Sequence, residues 1–133
     1  MRYLLFFAVH LLLVATGCKK STPTPLTAFP DPSGTYTGTF QREPGGQIAQ
    51  VSLAFSGGEW SGASQIRKYP GLCSGTYSVS SNKKITFTNA CVWTADFDWT
   101  LILAGDYDLN TTGNIAEISK QTNNARDVYR LSK

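Results

Sequence analysis

From residue 34 onward, apolar and polar residues alternate with a period of two along most of the chain. GTYTGTF puts Tyr36, Gly38 and Phe40 on one face, and VSLAF does the same with Val51, Leu53 and Phe55, which is the pattern of strands that bury one side. FDWTLILAGDYDL keeps a single parity through Phe97, Trp99, Leu101, Leu103, Gly105, Tyr107 and Leu109, and so predicts one long strand bent at Gly105. No segment carries a sustained helical stripe. The alternation predicts eight strands, at about 34-41, 47-56, 59-65, 73-80, 84-91, 97-109, 114-120 and 126-132.

Turn chemistry sets the registers. Gly57-Gly58, as a two-residue turn, places Phe55 opposite Trp60. Ser81-Asn82-Lys83, as a three-residue loop, places Val79 opposite Ile85, Tyr77 opposite Phe87 and Cys73 opposite Cys91. A slip by one residue would set Val79 against Lys84 and turn the buried face outward. In the last hairpin Ile118 faces Tyr129 and Ala116 faces Leu131, leaving Glu117 and Arg130 as an outward pair.

An even-numbered meander runs its first and last strands antiparallel, so they can pair and leave no free edge. The expected fold is all-β: a small eight-stranded antiparallel up-and-down barrel with one disulfide hairpin. An open β-sandwich is the other use of the same strands. With Gly34-Thr35-Tyr36 at the start and Tyr129-Arg130-Leu131 at the end, this order resembles the lipocalin-like β-barrel lipoproteins of Gram-negative envelopes over residues 34 to 132. Tyr36 stands where lipocalins favour the tryptophan of a Gly-x-Trp.

The chain's beginning bears on its location. Arg2 precedes an apolar run from Tyr3 to Ala15, the plan of a secretory signal, and the run is too short to span a bilayer comfortably. Ala15-Thr16-Gly17-Cys18 resembles the lipobox of bacterial lipoproteins, with Ala15 where that family prefers leucine. The resemblance implies cleavage before Cys18, a diacylglycerol on its sulfur, and a membrane partner held through that anchor. Lys19 and Lys20 stand where lipoproteins of the inner membrane often carry aspartate, so the outer membrane of a bacterial envelope is the expected location. The expected domains are a signal peptide at 1-17, a Pro-, Ser- and Thr-rich tether at 18-32, and the barrel at 33-133. About a hundred residues suffice for one modest core.

Charge and cysteine count narrow the chemistry. The net charge of +3 falls to +2 once Arg2 is removed, and no basic run is present, so nucleic acid is not an expected partner. The one histidine, His10, lies in the signal, which leaves the mature chain without serine–histidine or cysteine–histidine catalysis and without histidine-based metal sites. Cys73 and Cys91 lack both the C-x-x-C spacing of redox pairs and the further ligands of a zinc site, and in an oxidising envelope they are expected to bridge. No cofactor is expected.

Two polar groupings resemble chemical sites. DYDLNTTGNIAE puts Asp106, Asp108, Asn110 and Glu117 at ligand positions of an EF-hand loop, but Thr111 occupies the glycine position and flanking helices are missing. It reads as strand polars running into a hairpin, and no metal site is assigned. Asp96 and Asp98 could form an acid–base pair, yet even positions on that strand face solvent, where a carboxylate is a poor acid at neutral pH. No catalytic residue is assigned, and the chain is not expected to be an enzyme.

Binding remains. The inward aromatics could line a cavity for a small apolar ligand, but eight strands enclose little more than their own side chains, so a filled core is favoured. The longer loops, 42-47, 65-72, 89-96 and 121-126, fall at one end, expected to be an open mouth. They carry Arg42, Arg67, Lys68, Tyr69 and Trp93. Arg67, Lys68, Tyr69 and Trp93 are the candidate contacts for a small apolar ligand or an envelope protein, and the other reading of Trp93 is a lid packed over the barrel end. The plan is similar to small disulfide-stapled barrels that inhibit lysozymes or proteases in envelopes. A structural module without a dedicated ligand is the third reading.

Overall fold

The computed structural model describes residues 31–133. The expected signal peptide, Cys18 and the expected tether as far as residue 30 lie outside the described residues. Eight strands follow in order: β1 (Gly34–Glu43), β2 (Ile48–Ser56), β3 (Glu59–Ser64), β4 (Ser74–Ser80), β5 (Lys84–Asn89), β6 (Gly105–Thr112), β7 (Ile115–Gln121) and β8 (Arg126–Ser132). Each pairs antiparallel with its chain neighbours, and β1 pairs with β8, so the sheet is a closed barrel rather than an open sandwich.

The registers follow the turns. Phe55 lies opposite Trp60, Tyr77 opposite Phe87, Val79 opposite Ile85 and Ile118 opposite Tyr129. Cys73 and Cys91 are joined by a disulfide with their Cα atoms 6.4 Å apart.

Rings fill the interior. A continuous run of contacts passes from Tyr36 to Phe55 (5.9 Å between centroids), Phe87 (6.3 Å), Tyr107 (5.7 Å), Tyr129 (6.3 Å) and Phe40 (4.8 Å). Trp60 meets Phe87 edge-on at 5.6 Å. Its indole crosses the side-chain-free position of Gly75 and donates to the Thr88 carbonyl at 3.0 Å. A Cβ on Gly75 would stand 1.8 Å from that carbonyl oxygen. Interlocked rings of this kind add directional attraction to the burial of their area.

The predicted strand over 97-109 is corrected. β6 begins only at Gly105, and the residues before it form a loop with one 3-10 turn at Trp99–Leu101. Asp98 caps that turn, its side chain accepting from the Thr100 amide, and this local bond competes successfully with a strand ladder. Gly105, at φ +85°, then breaks the extended path. Of the apolar residues with matching parity, Leu103 is buried while Trp99 is 56% exposed, so the shared parity does not reflect a shared face.

Strand direction puts the short turns 57–58, 81–83 and 113–114 at one end, where the Tyr77 hydroxyl donates to the Pro32 carbonyl at 2.8 Å and fixes the arriving chain. The long connections lie at the other end.

Candidate functional site: the lidded end of the barrel

Continuing the inward parity of Phe40 and Tyr129 by two residues brings Arg42 and Asp127 inside the barrel, opposite each other across the β1–β8 seam. Arg42 Nε and Nη2 donate to the two Asp127 carboxylate oxygens at 2.6 and 2.7 Å. The same guanidinium reaches the 90–104 loop, donating from Nη1 to Asp98 Oδ2 (2.9 Å) and Thr100 Oγ1 (3.0 Å) and from Nη2 to the Thr100 carbonyl (3.1 Å). Asp127 is 2% exposed. Its paired hydrogen bonds are the main reason the Arg42 guanidinium holds its proton more tightly than usual.

The long connections close over this end. Residues 71 and 102 bridge in parallel, with the Gly71 amide donating to the Leu101 carbonyl at 2.9 Å and the Leu103 amide to the Gly71 carbonyl at 3.1 Å. Leu103 and Pro70 are fully buried beneath them. Tyr69 sets its ring edge-on to Phe40 at 5.2 Å, and its hydroxyl donates to the Gln47 carbonyl at 3.1 Å. The expected open mouth is therefore corrected to a lidded one. The cause is that the apolar residues of 97-104, freed from a strand, fold back over the barrel end.

The candidate residues divide. Lys68 lies at φ +60°, and its ammonium donates to Asp96 at 2.6 and 2.8 Å and to Thr94 at 2.9 Å. Trp93 packs against Phe97 with the rings tilted and their centroids 5.3 Å apart, and donates from its indole to Asn89 Oδ1 at 2.9 Å. Tyr69 belongs to the seal. Arg67 alone is exposed. Lys68, Tyr69 and Trp93 thus hold the lid in place, and the structure brings Arg67, Lys68 and Trp93 to one surface groove of about 390 Å³ with Pro70 and Leu72.

Besides Ile48 and Ile115 on the barrel wall, two exposed apolar side chains of the lid escaped the sequence reading. Val92 is 100% exposed and Trp99 56%, both on the 90–104 loop. Neither had a signal, because Val92 follows the end of a strand and Trp99 sits within an apparent strand parity.

The carboxylates of this loop are held ionised. The hydrogen bond from Lys68, then that from Thr94, keeps the Asp96 carboxyl down at about 2. Asp98 is lowered by the hydroxyl and amide of Thr100 and by Arg42. A general acid must carry a proton at neutral pH, and these two serve instead as fasteners for cations. In the EF-hand-like stretch, Asp108 pairs with Lys84 and Asp106 accepts from Thr86 at 2.7 Å, both on the barrel wall. Burial drives the Tyr107 and Tyr129 hydroxyls above their ordinary values, with the Asp127 charge adding to the rise.

Comparison with family models, with curated proteins and with solved structures finds no match to this chain.

Proposed function

We propose that this chain is a lipid-anchored, non-catalytic lipoprotein of the bacterial envelope that recognises a partner protein with the lidded end of its barrel. One observation carries the recognition half: the lid is fastened by a disulfide, by Arg42 and by Lys68, yet presents Val92 and Trp99 to solvent. Large apolar groups on a rigid support are what a binding hot spot needs, because little conformational freedom is lost on contact. The ring contacts take up the space that a small apolar ligand would use, which favours a protein surface over a molecule inside the barrel.

The anchor half rests on Ala15-Thr16-Gly17-Cys18 and on the chain's arrival at the opposite end, beside Tyr77. A tether attached there turns the lid away from the membrane. Cys18→Ser is expected to release the protein from the membrane fraction, and retention after a salt wash would overturn the anchor.

Recognition is tested by a photo-crosslinking residue placed at position 92 in cells of the source, with position 78 on the barrel wall as control. A discrete crosslinked product from 92 and none from 78 is the expected result. Equal or absent crosslinking at both would overturn the reading.

A further inference from the structure

The β3–β4 ladder is short. Its paired residues run from Glu59–Thr76 to Ser61–Ser74, the Gly62 amide adds a bond to the Cys73 carbonyl at 2.8 Å, and the 65–73 connection then leaves the wall. The groove that opens there is lined by residues that include Ser64, Arg67, Lys68, Leu72 and Trp93. We propose that this groove takes an extended segment of the partner protein in which a carboxylate stands beside an apolar side chain. The proposal rests on the partner-binding reading above and names the chemistry of the occupant.

Charge carries the first half of the argument. The Lys68 ammonium is already committed to Asp96 and Thr94. Arg67, one residue earlier, is exposed, and among the described residues no carboxylate lies within ion-pair distance of it. A guanidinium at the rim of an apolar cleft, with no counter-charge of its own, matches a carboxylate supplied from outside, and it can bind that carboxylate through two parallel hydrogen bonds.

Shape carries the second half. Leu72 and the Trp93 ring, both half-buried, give the groove apolar surface, and Trp93 is held by Phe97 and Asn89. The backbone at Lys68 is in the left-handed region, which a lysine enters at a cost. The Asp96 contact holds that turn, and so keeps Arg67 pointing outward beside the cleft. A protein segment is the occupant chosen over a lipid headgroup because the chain arrives at the opposite end of the barrel.

The test pans a library of random 12-residue peptides against the detergent-solubilised mature protein. Enriched peptides are expected to carry Asp or Glu next to a large apolar residue, and to lose about tenfold or more in affinity against Arg67→Glu. Arg67 is exposed and has no ion-pair partner among the described residues, so this variant is expected to melt with the wild type. Trp93→Ala, measured with its melting curve, is expected to weaken the same peptides. Enrichment without acidic residues, failure to enrich any peptide, or affinity indifferent to Arg67→Glu would overturn the groove assignment. If crosslinking from position 92 persists in that case, only the groove falls; if it is lost as well, the partner-binding reading falls with it.

Discussion

Arg42 and Asp127 stand opposite each other inside the barrel, on the two strands whose pairing closes it, with Nε and Oδ1 2.6 Å apart. The pair thus fastens the seam, and through Asp98 and Thr100 the same guanidinium also fastens the lid. Removing one partner leaves the other charge buried and uncompensated. Arg42→Met is expected to cost about 3–5 kcal/mol by urea denaturation, whereas the double variant Arg42→Met with Asp127→Leu should recover most of that loss. Equal losses in the single and double variants would show that the charge pairing is not what the site contributes.

The lid carboxylates make lid order depend on acid. The folded chain holds Asp96 at about 2 against an ordinary 3.8, and Asp98 is shifted the same way. A carboxyl that is more acidic when folded contributes fully above its unfolded value, and loses that contribution as pH falls through its folded one. Near-ultraviolet dichroism of Trp93 and Trp99 is expected to hold from neutral pH to near 3.8 and then fade toward about 2. Lys68→Met should move that fading upward in pH. An unchanged midpoint in the variant would mean that Lys68 does not hold Asp96 in solution.

The disulfide ties the foot of the 65–73 connection to the foot of the 90–104 lid across a sequence separation of 18. A bridge closing a loop of this length contributes about 3 kcal/mol in the chain-entropy description. Thiol titration of the unfolded, unreduced mature protein is expected to find neither Cys73 nor Cys91, and Cys73→Ser with Cys91→Ser should lower stability by about that amount. The barrel ladder near Tyr77 and Phe87 should keep its amide protection, because its registers do not depend on the bridge. Detection of both thiols would remove the staple.

The barrel was legible in the sequence because its registers are set locally. Two turns, at Gly57-Gly58 and Ser81-Lys83, fix which residues face each other, and a one-residue slip would turn Tyr77 and Phe87 to solvent. The lid was not legible, because its order comes from contacts distant in sequence. Arg42 with Asp98 and Lys68 with Asp96 are examples, and the Asp98 cap overrides an alternation that reads as strand. Part of the site was nonetheless within reach. Extending the parity of Phe40 and Tyr129 by two residues places an arginine and an aspartate inside the barrel, where such groups are tolerated only as partners. The outer wall holds a similar case: Val128 is fully buried, flanked on β8 by Arg126 and Arg130, which bridge to Glu43 and Glu117.

The contact between Trp60 and Gly75 makes the most local claim on the core. The two residues are directly paired, and the indole passes over the glycine to reach the Thr88 carbonyl one strand further on. Gly75→Ala would drive a methyl to 1.8 Å from that oxygen and 3.0 Å from the indole nitrogen, so either β4 moves away from β5 or the ring leaves its slot. Both responses disturb packing against Phe87, and overpacking of this kind costs about 1–3 kcal/mol. Trp60→Phe separates the two responses, since it removes the indole donor and keeps most of the ring. If the ring is what moves, Gly75→Ala should cost distinctly less in the Trp60→Phe background than in the wild type. If the strands part instead, the cost should be the same in both. Thermal melts of the four proteins measure the difference, and a Gly75→Ala variant as stable as the wild type would contradict the close approach of β4 to β5 itself.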